Sequence, residues 1–284
     1  MWVNTMRTID RNDLKNAVKT LLLDANHDIG ASFLNVLKRA LETETSKTGR
    51  DVLQQIIDND TIAKEEHVPM CQDTGMVVAF VKVGRGVILD FDLDDAINDA
   101  VKEAYDEGYL RKSVVADPFR RENTGDNTPA IVHVSFVDGD ALSVTVAPKG
   151  AGSENMSLVK MLLPSEGPEG VKDLLLHTIF EAGGKPCPPL TVGVGIGGNL
   201  EKAALIAKEA LMRPVDDIHP DPYYADLEKK WCDAINRLGV GPMGFGGKTT
   251  ALAVKIATYP CHIASLPVAI NIQCHASRHK SVTL

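Results

Sequence analysis

At 284 residues the chain can bury a substantial core, as one large domain or two sharing an interface. Its hydrophobic share of 44% and charged share of 24% are ordinary for a globular protein, and its net charge of −8 argues against nucleic acid or an anionic membrane as partner. A small anion is not excluded, because a pocket can be basic on an acidic protein. No apolar run approaches the roughly 18–20 residues of a membrane span, and MWVNTMRTIDRNDLK has no apolar signal core, so the expectation is a cytoplasmic protein.

Residues 10–60 read as helical hairpins. Asp10 or Asn12 can cap a helix whose positions Leu14, Val18, Leu21 and Leu22 follow helical spacing, and Phe33, Leu34, Leu37 and Leu41 repeat the pattern. Nothing there carries chemistry. The stretch VPMCQDTGMVVAFVKV then sets a thiol, a carboxamide, a carboxylate and a hydroxyl (Cys71, Gln72, Asp73, Thr74) in a turn before a strand, with Pro69 holding the approach extended and Gly75 turning the chain. Read alone, this is also what an ordinary turn with a buried cysteine looks like. Asp92 is expected to cap a helix that Gly108 ends. A polar loop over residues 110–130 leads to two alternating strands, IVHVSFV and ALSVTVA, with Asp138-Gly139 between them as a hairpin signal.

The loop APKGAGSENMS precedes a capped helix around residues 171–182. Next, a Pro-flanked Cys187 joins a short strand, a glycine loop and a helix. Residues 213–235 read as a polar loop and surface helix. The C-terminal stretch alternates glycine loop, strand, Pro-Cys-His turn, strand and Cys-His turn. The expected fold class is α/β, a helical N-terminal region over residues 1–65 followed by mixed short β-sheets packed with helices, with the site at strand-end loops.

Several motifs are decoys. Gly193, Gly195 and Gly198 fit G-x-G-x-x-G, but repeated βαβ units are missing, and a tight strand-to-helix turn is the better reading. GPMGFGGKTT resembles a phosphate loop with its register off by one at Pro242. Cys261-His262, Cys274-His275 and His279 match no usual zinc spacing.

The five cysteines (Cys71, Cys187, Cys232, Cys261, Cys274) are odd in number and scattered, a poor disulfide framework. Cys71, Cys187 and Cys274 each sit in a turn beside a strand, whereas KKWCDAI puts Cys232 on a helix. Three thiolates suffice to hold a four-iron four-sulfur cluster and leave one iron without a protein ligand, an open Lewis-acid position. Unrelated buried thiols remain the alternative.

CQDTG at 71–75, NTGDNTPA at 123–130, KGAGSENMS at 149–157, PCPPLTVGVGIGGN at 186–199, GPMGFGGKTTAL at 241–252 and HIASLPVAINIQCHASRH near the end resemble the class I, iron–sulfur fumarate hydratases. The resemblance covers nearly the whole chain and is to the alpha subunit of the two-subunit form, so residues 1–284 are expected to form one alpha-type catalytic domain. The related L-tartrate dehydratase alpha subunit is the nearest competitor. It usually has a further cysteine in the segment matching GAGSEN and a different loop where this chain has GFGGKTT, and both features favour fumarate.

The resemblance implies a 4Fe-4S cluster held by Cys71, Cys187 and Cys274 with one open iron. It implies that Gln72 and Asp73 meet the substrate and its hydroxyl, that Arg111 binds a substrate carboxylate, that Gly152 gives a backbone donor and that His262 bonds the hydroxyl or carboxylate. Without it, Arg111 reads as a helix-end cation, His262 as a strand-end hydrogen-bonder and Asp73 as a turn cap. The implied partners are a small dicarboxylate (fumarate or malate) and a beta subunit supplying the remaining basic residues and the catalytic base, in an alpha–alpha dimer or alpha2beta2 assembly. A non-catalytic metal-binding scaffold is the alternative of another class.

Overall fold

A computed structural model describes residues 6–284. Strand β1 (Arg7–Thr8) leads into helices α1 (Arg11–His27), α2 (Ala31–Thr43) and α3 (Lys47–Glu66). Asp10, not Asn12, caps α1: its Oδ1 accepts from the amides of Asn12 at 2.8 Å and Asp13 at 3.1 Å. After the 71–75 turn come β2 (Met76–Gly84), β3 (Val87–Ile88) and α4 (Leu93–Glu107). Asp92 caps α4 through the Asp95 amide at 3.0 Å, and Gly108 closes it. The polar loop is followed by β4 (Ile131–Val137), β5 (Leu142–Lys149), the single turn α5 (Ala151–Glu154) and β6 (Leu158–Leu162). The chain continues through α6 (Gly167–Ala182), β7 (Leu190–Gly197), α7 (Leu200–Ala210), α8 (Pro222–Asn236), β8 (Ala251–Tyr259), β9 (Leu266–Gln273) and β10 (Lys280–Thr283). The class is α/β with short mixed sheets after a helical N-terminal region, in line with the sequence.

The chain divides into two compact units. The first comprises Met1–Ile29 (described from Met6), Ile62–Ala151 and Arg278–Leu284. Its sheet has the order β10-β5-β2-β4. Leu14, Val18 and Leu22 of α1 and Ile97 and Val101 of α4 share a core with Val77, Ala79 and Val81 of β2 and Val144 and Val146 of β5. Burying each such Val, Leu or Ile side chain contributes about 1.5–3 kcal/mol.

The expected β4–β5 hairpin does not form. β2 lies between the two strands, parallel to β4 and antiparallel to β5. The Asp138-Gly139 turn arches over the end of β2 instead, where the Gly86 amide donates to the Gly139 carbonyl at 2.8 Å and the Gly84 amide to the Ala141 carbonyl at 2.9 Å. A Cβ on Gly84 would lie 2.6 Å from the Gly139 oxygen, so only glycine fits under the arch. A two-residue turn signal encodes a reversal, not which strand fills the adjacent edge. β4 thereby becomes an edge: Val132 still packs against the core, but Val134 and Phe136 are 48% and 74% exposed.

The second unit comprises Gly30–Thr61 and Gly152–Ser277, with a sheet of order β6-β9-β7-β8. β7 runs parallel to β8 and antiparallel to β9. Val192, Val194, Ile256, Ile270 and Ile272 form its core with Leu175 of α6 and Trp231 of α8. Gly193 and Gly195 lie inside β7, where added Cβ atoms would stand 2.0 and 2.1 Å from the Ala207 and Ala203 carbonyl oxygens of α7. The G-x-G-x-x-G pattern is therefore a helix-on-strand contact, and Asn199 fills the start of α7 by accepting from the Lys202 amide at 3.1 Å. The helix α6 starts without the expected side-chain cap; Pro168 sits in its first turn, where a missing N–H costs nothing. Among the described residues no helix is long and apolar enough to cross a membrane.

Candidate active site

In the first unit the CQDTG turn stands at the start of β2. Gly75 has φ +79°, and a Cβ there would meet the Lys149 backbone at 2.7 Å, so the turn lies hard against the end of β5. Asp73 is half-buried and both its oxygens are oriented by main chain: Oδ1 accepts from the Gly75 amide at 3.0 Å and Oδ2 from the Ala151 amide at 2.8 Å. Gln72 is exposed and Cys71 half-buried. Thr74, buried, donates from Oγ1 to the Arg111 carbonyl at 3.0 Å. Arg111 is exposed on a loop pinned by buried Leu110 and Val114. The structure thus brings together Cys71, Gln72, Asp73 and the Arg111 loop.

In the second unit, topology gathers Cys187 and Cys274. Cys187 precedes β7 and Cys274 follows β9, and these strands are antiparallel neighbours with Thr191 opposite Gln273. Both cysteines consequently stand at one end of the sheet, where the His275 amide donates to the Cys187 carbonyl at 3.2 Å. Cys187 has φ +56°, and its own amide donates to the Gly184 carbonyl at 3.0 Å. Gly152 lies alongside, since a Cβ there would be 3.7 Å from the Lys185 carbonyl oxygen, the same atom that is 3.9 Å from the Cys187 sulfur.

His262 is not brought to that end. It is exposed in the turn after β8, whose last residue Tyr259 pairs with Gly197, the last residue of β7. From Leu190 to Gly197 the sheet spans roughly 23 Å at about 3.3 Å per residue. His262 Nδ1 accepts from the Ala264 amide at 3.1 Å, which leaves Nε2 to face outward. Eleven residues lie between His262 and Cys274, but β9 carries the chain across the whole sheet between them. The same placement separates Cys261-His262 from Cys274-His275, so these pairs do not combine into a zinc site.

The glycine loop at 241–250 also receives an explanation. Its amides face the buried carboxylate of Glu44, which accepts from Lys248 at 2.9 Å and Thr249 at 2.8 Å as well as from Thr45 at 2.9 Å and Ser46 at 3.0 Å. Burial pushes this carboxyl up, but the amides of Lys248, Ser46 and Thr249 and the Thr249 side chain outweigh it and hold it below the usual carboxylate range. An internal carboxylate occupies the cradle that a phosphate loop would offer. Its partner lies some 200 residues away and left no signal in the motif.

Among the described residues no three His, Cys, Asp or Glu side chains group as ligands of one metal ion. A cluster places different demands, because its thiolates flank a cube instead of converging on a point. The donor chemistry fits Cys71, Cys187 and Cys274, which are half-buried, outside any disulfide and seated in turns at strand ends. Cys232 does not fit: burial pushes its thiol up to about 12, and it rests on the Ala251 carbonyl at 3.8 Å within the α8 contact to the sheet. A cavity of about 660 Å³ lined by Glu169, Lys172, Leu227 and Trp231 among others includes none of the candidate residues.

Comparison with known proteins adds the following. The family model described as Fumarate hydratase (Fumerase) matches residues 15–283. A chain of Methanocaldococcus jannaschii provisionally named L(+)-tartrate dehydratase subunit alpha is 45% identical over 252 residues, 86% of this chain and 88% of its own. The L(+)-tartrate dehydratase subunit alpha of Escherichia coli UTI89 is 36% identical over 246 residues, 85% of this chain and 81% of its own, and that of strain K12 is 35% identical over the same coverage.

Proposed function

The chain belongs to the fumarate hydratase family, and from that premise we propose that it is the alpha subunit of an iron–sulfur hydro-lyase that interconverts fumarate and (S)-malate. Residues 1–284 act in this reading as one alpha-type catalytic domain built of two units, with Cys71, Cys187 and Cys274 as ligands of a 4Fe-4S cluster. The observation that carries it is the pairing of Cys187 and Cys274 at one sheet end, with Gly152 beside them. The cluster, when bound, supplies an open iron as Lewis acid that makes hydroxide a better leaving group.

The chain's own residues do the rest. The Arg111 guanidinium, a planar donor fork, grips a substrate carboxylate. Asp73, oriented by the Gly75 and Ala151 amides, keeps its outward lone pairs for the substrate hydroxyl and positions its proton. The Gln72 carboxamide, exposed beside it, bonds the same hydroxyl, and the Gly152 amide donates to the substrate. His262 lies across the second unit's sheet from Cys187 and Cys274, so in this reading it serves the site of a second copy, in keeping with the paired alpha subunits that the resemblance implies. A separate beta subunit supplies the remaining carboxylate-binding groups and the base, and closes the site to water.

A second reading, dehydration of L(+)-tartrate, is supported by the names of the similar chains of Methanocaldococcus jannaschii and Escherichia coli. Anaerobic co-purification with the beta subunit, iron analysis and paired assays separate the possibilities. About four irons per chain with malate–fumarate turnover supports the proposal. Turnover of tartrate alone selects the second reading, and a colourless, iron-free protein after anaerobic reconstitution overturns both.

A further inference from the structure

The segment NTGDNTPA contains none of the residues assigned above, yet its side chains stitch the Arg111 loop in place. Asn123 Nδ2 donates to the Lys112 carbonyl at 2.9 Å, and the Thr124 amide donates to the Val114 carbonyl at 3.0 Å. Asn127 Oδ1 accepts from the amides of Ser113 at 2.7 Å and Val114 at 3.3 Å. On its other side Asn127 Nδ2 donates to the Gly75 carbonyl at 3.1 Å. One carboxamide thereby joins the two stretches that bear Asp73 and Arg111, from a third segment of chain.

Its surroundings suit that task. Asn127 is wholly buried, and so is Tyr105, whose hydroxyl donates to the Thr74 carbonyl at 2.7 Å with the Gly75 carbonyl at 3.0 Å. Burial holds the Tyr105 phenol far above its usual range, so it stays a donor at any working pH. Asn127 has φ +64°, the left-handed region where asparagine is among the few tolerated side chains. Only a carboxamide offers there both an acceptor for two amides and a donor for a carbonyl. Aspartate would turn a second oxygen toward the Gly75 oxygen, and glycine would keep the backbone but lose all three bonds.

We propose that Asn127 is a positioning residue that sets the spacing between the Arg111 guanidinium and the Asp73 carboxylate, and so the grip on a dicarboxylate. This rests on the roles given to Arg111 and Asp73 under the proposed function. A loop released from the brace must be ordered anew each time substrate binds, which weakens binding with little effect on the chemical step.

The test uses Asn127→Asp and Asn127→Gly in the alpha subunit co-expressed with its beta partner and purified anaerobically. Iron content and kcat are expected to stay within about twofold of the parent while KM for the dicarboxylate rises about tenfold. In an Arg111→Ala background the same substitutions are expected to change KM less than about twofold, because the constraint acts through the arginine. An unchanged KM in an iron-loaded variant, an equal rise with and without Arg111, or loss of iron overturns the proposal. Hydrogen exchange gives a readout independent of turnover: the Ser113 and Val114 amides should exchange about tenfold faster in Asn127→Gly, with α1 unchanged. Should the Asn127 variants fail to fold, Asn123→Ala, which removes the bond to the Lys112 carbonyl and the acceptor of the Gly125 amide, is expected to raise KM about threefold, and no rise counts against the brace. A parent inactive on every dicarboxylate would sink the functional reading, while exchange at Ser113 and Val114 would still decide whether Asn127 holds the loop.

Discussion

In the first unit the 71–75 turn and the Arg111 loop are held by side chains: Thr74, Tyr105 and Asn127 each bond main-chain atoms of a distant segment. In the second unit Cys187 and Cys274 are held by main chain, through adjacent antiparallel strands and an amide-to-carbonyl bond. The difference assigns the two units different sensitivities. On the proposed roles, substitutions around the side-chain brace are expected to shift geometry and hence substrate grip, whereas removing a thiol from a main-chain seat is expected to leave the seat and remove only the proposed ligand.

The largest expected effect tests the main-chain half. Cys187→Ser should fold as the parent does, lose its iron and drop turnover by at least about 10³-fold, while Cys232→Ser keeps iron and activity within about twofold of the parent. Iron per chain and turnover measured side by side decide it. A Cys187→Ser protein that keeps both is not missing a ligand, and the contrast between the units would collapse.

Next in size is the position of His262 across the sheet from the thiols. Alpha chains carrying only His262→Ala and only Cys187→Ser should each be nearly inactive. Co-expressed, they should regain about a quarter of parental turnover, because half the pairs are mixed and each mixed pair has one whole site. No recovery returns His262 to a local hydrogen-bonder of its turn.

The smallest effects concern two buried carboxyls of the second unit with opposite surroundings. Glu44 is held below the usual range by amides, so its contribution is present at neutral pH and lost as pH falls through its lowered value. Glu44→Gln should cost about 1–3 kcal/mol at pH 7 and less near pH 3. Burial pushes the Asp60 carboxyl up to about 7, against a weaker opposing pull from the neighbouring Asn59 side chain. Its folded form holds the proton more tightly than the unfolded chain does, so stability falls as pH rises from about 4 to 7. Asp60→Asn should therefore stabilise by on the order of 2–4 kcal/mol above pH 7 and by nothing near pH 4. Denaturant melts at the two pH values check both variants.

What was legible in the sequence was local. Asp10, Asp92 and Gly108 mark helix ends because capping acts within a turn of the residue itself, and Gly75 marks the turn before β2. Pairing was not legible: Asp138-Gly139 signals a reversal, but the strand that fills the gap between β4 and β5 comes from 50 residues earlier. The Gly75 partner of Asn127 and the Lys248 partner of Glu44 lie 52 and 204 residues away along the chain, so neither contact leaves a periodic trace. β6 and β10 were missed because each is short and earns its place only by joining an edge, on β9 and β5 respectively. His262 misled by nearness in sequence, since a strand of eight residues converts a small separation along the chain into the full width of a sheet.

The bare backbone at Gly193 and Gly195 has a mechanical consequence. With no methyl between α7 and β7, the helix serves as a wall against which the strand is clamped, and the strand begins three residues after Cys187. An alanine at 193 would act as a wedge, prising helix from strand and tilting the platform on which two of the sulfurs stand. On the proposed ligand set, Gly193→Ala is thus expected to shift the setting of Cys187 and Cys274 while touching neither residue.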